Sequence, residues 1–407
     1  MPEAVIVAAT RTPIGRARKG SLVDVRPDDL AAGVISAALA QVPALNPADL
    51  DDIYVGCAEP RDEHGGNLAR RIGVLLGLDG VPAATVNRFC ASSVQTARMA
   101  FQAIKSGEGQ AFVSAGVECV SRYRGFAHAG VDPQDTHHPG FAVSEQRSAA
   151  YAASNDVWHD PRDDGELPDV YIAMGQTAEN VATLRGISRA EQDEFGVRSQ
   201  NLAEKAIANG VFAAEIAPVT RPDGVVVSVD DGPRPGTTLE AVSALKPVFR
   251  AEGTVTAGNC CPLNDGAAAV VIMSDRRAAE LGLNPLARIV ATGVSALSPE
   301  IMGLGPVEAS RRALARAGLT IDDIDLVEIN EAFAVQVIAS ARDLGLDVDR
   351  LNVHGGAIAL GHPFGSTGAR IMTTLLNAMR VRDVSLGLET MCVGGGQGMA
   401  VVLERLS

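Results

Sequence analysis

Four short segments carry side chains able to do chemistry, each where a run of β-branched residues gives way to glycine or alanine. The first is Val86-Asn87-Arg88-Phe89-Cys90-Ala91-Ser92-Ser93. Cys90 lies between a predicted strand at Thr85–Asn87 and an Ala/Ser-rich helix over Ala91–Ser106. A thiol at a helix N-terminus feels the positive end of the dipole and free backbone N–H groups, so its pKa is expected below the usual value of about 8.5. Read alone, the position fits a buried structural cysteine as well as a nucleophile. The second segment, Asn330-Glu331-Ala332-Phe333-Ala334, follows a predicted strand at Asp325–Ile329. Asn330 there either caps the next helix or offers an amide to a cleft. The third runs from Gly355 to Gly368 and holds His362 between Gly361 and Pro363. Glycines let backbone approach a ligand closely, and proline restricts the residue before it. A histidine so fixed serves as a base or as a donor to a developing oxyanion. The fourth, Met391-Cys392-Val393-Gly394-Gly395-Gly396-Gln397-Gly398, suggests a nucleotide loop, but a strand over Met399–Leu403 follows where the dinucleotide fingerprint requires a helix. Nor does Gly361–Gly368 end in the Lys-Ser/Thr of a P-loop. The fourth segment is instead a tight strand-to-strand loop exposing Cys392 and its neighbouring N–H groups. If the segments converge, two thiols and an imidazole define a site for acyl transfer through sulfur.

The elements that must position these residues alternate between short β-branched strands and Ala-rich helices, the pattern of an α/β fold. A helix is expected from Asp28 to Gln41 after Pro27, and a strand from Asp52 to Gly56. The order then repeats. Leu45–Val55 aligns with Leu319–Ile329 as helix end, acidic turn and strand. Thr85–Asn87, Ala91–Ser106 and Ala111–Gly116 correspond to a strand at Leu351–Val353, a helix at Ser366–Met379 and a strand at Leu386–Thr390. Between the two copies, Ser121–Phe249 differs in character: rich in Asp, His, Pro and Gly near Asp132–Pro168, then helical from Met174 to Asn209. It reads as an insertion.

With 407 residues, 46% hydrophobic and 21% charged, the composition is that of an ordinary globular protein, not of a disordered or fibrous one. Lys and Arg number 35 against 49 Asp and Glu, a net charge of −14, which disfavours nucleic acid and anionic membrane as partners. No apolar run approaches the ~20 residues of a membrane-spanning helix. Six cysteines, irregularly spaced, do not form a disulfide framework or a metal motif, and reduced thiols are expected. His128, His137, His138 and His159, with Asp160 and Asp163, lack ligand spacing and read as a solvated loop, so no metal is expected. The beginning and end of the chain show no targeting pattern, which makes the cytoplasm the expected location.

Taken together the four segments resemble the thiolase family from end to end. Val5–Gly15, Met174–Ala182, Val255–Asn259 and Asn264–Ala268 are similar to its other signatures. The resemblance implies a five-layer αβαβα sandwich of two βαβαβαββ halves with an inserted loop domain: residues 1–120 with 250–284 as one half, 285–407 as the other, and 121–249 as the insertion. It implies CoA-dependent cleavage of a 3-ketoacyl-CoA, or the reverse condensation. Cys90 would carry the acyl group, His362 would take its proton, and Cys392 would act as general acid/base. One oxyanion hole would combine His362 with a water held by Asn330, the other the N–H groups of Cys90 and Gly394. Arg234 would contact the nucleotide end of coenzyme A. Met174, Ala332, Phe333 and Cys261 would line the acyl-pantetheine. Coenzyme A enters as co-substrate, with no permanently bound cofactor, and a homodimer or homotetramer is implied.

Two departures from the family pattern bear on substrate. Cys261 replaces a serine that touches pantetheine in biosynthetic members, and Ala173 stands where acetoacetyl-specific enzymes place a histidine. The smaller side chain widens the acyl pocket and points to degradation of longer or branched chains. His354 replaces a more usual asparagine. The alternatives are a biosynthetic acetoacetyl-CoA thiolase, a ketoacyl-synthase-like condensing enzyme and a catalytically inert CoA-binding scaffold. The condensing enzyme is disfavoured by a second cysteine at Cys392 and by Asn330–Phe333, the scaffold by four intact segments.

Overall fold

The computed structural model describes residues 1–123, 137–154 and 156–407. The first half contributes strands β1 (Ala4–Arg11), β2 (Asp52–Gly56), β3 (Ala83–Val86), β4 (Ala111–Cys119) and β5 (Asn264–Ser274), with helices α1 (Pro27–Ala40), α2 (Leu68–Leu75) and α3 (Ser92–Ser106). Between β4 and β5 lie helices α4 (Met174–Arg185) and α5 (Arg189–Ala208). The second half supplies β6 (Ala287–Ala296), α6 (Gly305–Ala317), β7 (Leu326–Ile329), α7 (Ala334–Leu344), α8 (Thr367–Arg382), β8 (Leu386–Val393) and β9 (Gln397–Arg405).

Strand order exposes the duplication. Outward from their shared edge the first half runs β1-β5-β4-β2-β3 and the second β6-β9-β8-β7. In both, two antiparallel pairings are followed by parallel ones. The halves meet where Val5 and Ile6 pair with Arg288 and Ala287. The strand expected at Leu351–Val353 does not form: only Leu351 bridges Val327. Asn352 has φ 45°, and its side-chain amide takes over the ladder, accepting from Ile329 N at 2.9 Å and donating to Ile329 O at 2.9 Å.

Alternation along the strands makes the layers. Val5 and Val7 face α1 and α2 on the outside, with Val34, Ile35, Leu68 and Ile72, while Ala4 and Ile6 face the middle of the molecule. There α3 and α8 lie between the two sheets, burying Val94, Ala97, Ile371 and Leu375 against Ile272, Ile289, Met391 and Val401. On the far side α6 and α7 cover Val327, Leu388 and Val402. The result is the expected five-layer αβαβα sandwich.

Local chemistry sets the element ends. Pro27 opens α1 and Asp28 and Asp29 occupy its first turn, where a missing N–H costs nothing and negative charge is favoured. The helical run expected from Met174 to Asn209 is broken in two. Gly186, at φ 61°, ends α4, and a capping box of Ser188 and Glu191 starts α5. At the centre, Gly368 brings α8 against α3: a Cβ there would stand 2.3 Å from Val94 Cγ2. Ser93 Oγ accepts from Ala369 N at 3.0 Å beside it.

Candidate active site

The duplication gives the central helices equivalent N-termini, and the chemistry gathers there. Cys90 sits in a single 3₁₀ turn, Phe89–Ala91, leading into α3. Phe89 is forced to φ 44°, a left-handed conformation that costs a non-glycine residue about 1–3 kcal/mol. Surrounding hydrogen bonds hold it: Phe89 N donates to Asn87 Oδ1 at 2.8 Å and Arg88 N to Ser92 Oγ at 2.9 Å. The Arg88 guanidinium reaches Gln95 Oε1 at 3.0 Å and, across to the other half, Gln397 Oε1 at 2.8 Å. That last bond fastens the cysteine turn to the β8–β9 hairpin.

From the hairpin the Gly394 N–H is directed at the Cys90 sulfur. Cys392, near the end of β8, is fully buried. Burial pushes its thiol pKa up, and the charge that Cys90 would carry raises it further, so the two sulfurs share one electrostatic environment. Cys261 joins them. Its pKa is raised by burial and by Cys260, Cys90 and Cys392 together.

The expected lowering of the Cys90 pKa does not occur. Burial pushes it up to about 12, and the Gly394 N–H only partly offsets this. Desolvation of a thiolate outweighs one short turn of dipole. The resting thiol is therefore protonated and needs a base to become a nucleophile.

His362 lies in the turn before α8, buried, with Gly361 at φ 117°. A Cβ on Gly361 would stand 2.6 Å from the Asn264 amide, and that amide accepts from His362 N at 3.0 Å. Thr367 Oγ1 lies 2.7 Å from Nδ1, and Phe364 packs edge-on at 5.0 Å between ring centroids. These contacts fix the imidazole in one orientation. Burial, assisted by the positive charge of Arg370, lowers its pKa to about 3, which keeps the ring neutral at physiological pH.

Asn330 follows β7, its N donating to Thr390 O at 3.0 Å and its O accepting from Gln336 Nε2 at 2.7 Å. It is not a helix cap. Helix α7 begins at Ala334 with Phe333 at the cap position. Instead the Asn330 amide nitrogen lies 3.3 Å from His362 Nε2 and 3.5 Å from Nδ1. Its Oδ1 is buried without a hydrogen-bond partner among the described residues.

An apolar cluster surrounds Cys392, with Ala332, Phe333, Met174, Phe249 and Cys261 among its members. Cys261 N donates to Ala332 O at 3.0 Å, and Phe249 meets Phe333 edge-on at 6.1 Å. Arg234 lies apart. Its side chain is exposed, while Gly232 of the same loop presses on Ala359 and Leu360, just ahead of His362. Thr367, Asn264, Gln336 and Arg88 had not been singled out from the sequence. Asn264 and Arg88 act on partners distant along the chain, and Thr367 and Gln336 on near ones through turns whose shape no spacing announces.

The histidines of the insertion are dispersed: His137 stacks on Tyr171 at 3.8 Å, and His159 bonds Tyr151 and Asp164. His128 lies outside the described residues. Among the described residues no three His, Cys, Asp or Glu side chains gather as a metal site, and no helix is long and apolar enough to cross a membrane.

Known proteins share this sequence and fold along nearly the whole chain. Residues 4–276 match the model of the thiolase N-terminal domain and residues 283–405 that of the thiolase C-terminal domain. The chain is 43% identical to a 3-ketoacyl-CoA thiolase of Bacillus subtilis (strain 168), covering 99% of this chain and 100% of that one. It is 45% identical to a 3-ketoacyl-CoA thiolase of Salmonella typhimurium, with full coverage of both. Among solved structures, the Bacillus anthracis acetyl-CoA acetyltransferase superposes with TM-score 0.86 at 37% identity, covering 100% of this chain and 99% of that one. Human mitochondrial 3-ketoacyl-CoA thiolase gives 0.85 at 37%, with the same coverage. With two cysteines and an imidazole brought to the junction of duplicated halves, and with both halves matched along nearly their whole length, the chain belongs to the thiolase family.

Proposed function

We propose that the protein cleaves 3-ketoacyl-CoA with coenzyme A, giving acetyl-CoA and a shortened acyl-CoA. What supports this reading is that the Cys90 and Cys392 thiols lie near enough to influence one another, and that His362 is held rigidly just ahead of the helix packed against the one Cys90 precedes. In the first step the Cys90 proton passes to His362 and the sulfur attacks the 3-keto carbon. Negative charge grows on the keto oxygen, which the N–H groups of Cys90 and Gly394 are placed to receive. The bond between C2 and C3 then breaks. The departing acetyl-CoA enolate takes a proton from Cys392, and its oxygen is met by His362 Nε2 and a water on the unpartnered Asn330 Oδ1. In the second step Cys392 takes the proton of the coenzyme A thiol, whose sulfur attacks the acyl-Cys90 thioester, and His362 returns its proton to the departing Cys90 sulfur, so that acyl-CoA is released and both thiols and the neutral imidazole are restored.

Several finer assignments belong to the same proposal. Residues 1–120 with 250–284 and residues 285–407 form the two catalytic halves, and 121–249 the insertion that binds coenzyme A. Arg234 meets its nucleotide end, and Met174, Ala332, Phe333 and Cys261 line the acyl-pantetheine. The likeness to 3-ketoacyl-CoA thiolases supports fatty-acid β-oxidation, a cytoplasmic location and a homodimer or homotetramer. Ala173, small where a histidine would narrow the pocket, favours longer or branched acyl groups. A second reading, biosynthetic acetoacetyl-CoA thiolase, draws support from the likeness to an acetyl-CoA acetyltransferase. Thiolysis of short, long, branched and steroid-derived 3-ketoacyl-CoAs by purified protein tests both readings. A higher kcat/KM for longer chains is expected, a strong preference for acetoacetyl-CoA would favour the second reading, and absence of cleavage across the panel would overturn both.

A further inference from the structure

Glu118, the penultimate residue of β4, is fully buried, and beyond helping to raise the Cys90 pKa through its charge it has no role in the steps above. Its Oε1 accepts from Glu59 N at 3.3 Å, from Cys57 Sγ at 3.4 Å and from the Tyr123 hydroxyl. Its Oε2 accepts from Ala58 N and from Gly365 N, both at 2.8 Å. All these partners are donors, the surroundings a buried carboxylate requires. Three belong to the first half, Tyr123 stands at the start of the insertion, and the fifth, Gly365, lies three residues beyond His362 in the second half. The backbone fits closely at the same place. A Cβ on Gly116 would stand 2.2 Å from Gly365 O, and one on Gly365 would stand 2.7 Å from Cys57 Cα.

We propose that Glu118 is a positioning residue, which clamps the His362 turn of the second half onto the Cys90 half and thereby sets the distance between base and nucleophile. The inference rests on the reading of Cys90 and His362 as partners in one reaction. It also explains why a charge is buried at that point. A single carboxylate can hold several backbone N–H groups from separate loops in fixed relation, which apolar packing does with less directional precision.

The two oxygens differ in a way that makes the clamp testable. In Glu118→Gln the carbonyl keeps Ala58 N and Gly365 N, and the amide NH2 takes the Oε1 side, where the Tyr123 hydroxyl and the Cys57 sulfur can turn to accept and only the long bond from Glu59 N, at 3.3 Å, is given up. Adding Tyr123→Phe removes the stronger of the two acceptors. The expected result is thiolysis with kcat within about threefold of wild type for Glu118→Gln, and a fall of about 100-fold for the double variant. The larger figure is the scale of a 1 Å misplacement of reacting groups. KM is expected to change little.

Hydrogen–deuterium exchange supplies a readout independent of turnover. In the double variant the segment 361–368 should exchange faster while β6–β9 stay protected. Unchanged exchange at 361–368, equal loosening of the whole protein, or an undiminished kcat would each overturn the proposal. Wild-type protein that fails to cleave any 3-ketoacyl-CoA would instead overturn the proposed function, and the exchange measurement would still decide on the clamp.

Discussion

At the scale of single residues, burial holds both Cys90 and His362 in their neutral forms. Burial drives the Cys90 thiol up and the His362 imidazole down, so proton transfer between them is unfavourable at rest. The sign follows for free enzyme: with its pKa pushed to about 12, Cys90 has little thiolate at neutral pH. Its carbamidomethylation, followed by mass spectrometry, should accelerate about tenfold per pH unit from 7 to 10. A rate already level at pH 7 would mean a resting thiolate. Asn330 carries a second expectation. Because its Oδ1 has no hydrogen-bond partner among the described residues, Asn330→Ala should lower kcat by ~10²–10³, the usual cost of one oxyanion-hole donor, with a smaller effect on KM. A loss confined to KM would make it a binding residue. The candidate residues were legible because each stands at an abrupt change from strand to glycine or helix. Their protonation was not, since Cys90 at a helix start suggests dipole activation and nothing local reveals how thoroughly the site is desolvated. Thr367 and Asn264, which fix His362, were equally hidden, Asn264 being 98 residues away along the chain.

At the scale of elements, the decisive contact is between the N-terminal ends of α3 and α8, which carry Cys90 and His362 just ahead of them. Gly368 permits that approach, and any Cβ there meets Val94 Cγ2 at 2.3 Å and its backbone N at 2.6 Å. Gly368→Ala is therefore expected to destabilise by about 1–3 kcal/mol, as overpacking does, and to lower kcat by moving the two helices apart. Thermal melting with thiolysis on the same preparation checks both. A variant as stable and active as wild type would show the contact to be slack. Most elements were readable from alternation and punctuation, the strand at Asp52–Gly56 to the residue. The failures have local causes. Asn352 replaces backbone pairing with its own side chain, and Gly186 with the Ser188 capping box divides a helical run that periodicity alone joins.

At the scale of the whole molecule, duplication makes one site from two halves, and the repeat of acidic turns and strands already exposed it. The edge contact between β1 and β6 could not be foreseen, because both strands are largely apolar and carry no sign of which edge is shared. Stability against acid reflects what the interior holds. Burial lowers the pKa of His64, takes His354 to about 4 and His362 to about 3, against about 6.5 in the unfolded chain. Between those values the unfolded state binds more protons, so each histidine reduces stability as pH falls below about 6.5. Buried carboxylates such as Asp265, raised to about 6, act in the opposite sense. A comparison isolates one group: His354→Asn should gain in Tm relative to wild type as pH is lowered from 7 to 5. A difference independent of pH would contradict neutral burial of His354.

The central claim, that Cys90 carries the acyl group, is tested most directly by mixing the protein with a 3-ketoacyl-CoA in the absence of free coenzyme A and locating the adduct by mass spectrometry. An acyl group on the peptide containing Cys90, removed on adding coenzyme A and missing in Cys90→Ala, is the predicted result. Acylation at Cys392 or Cys261 with Cys90 unmodified, or cleavage that persists in Cys90→Ala, would contradict it.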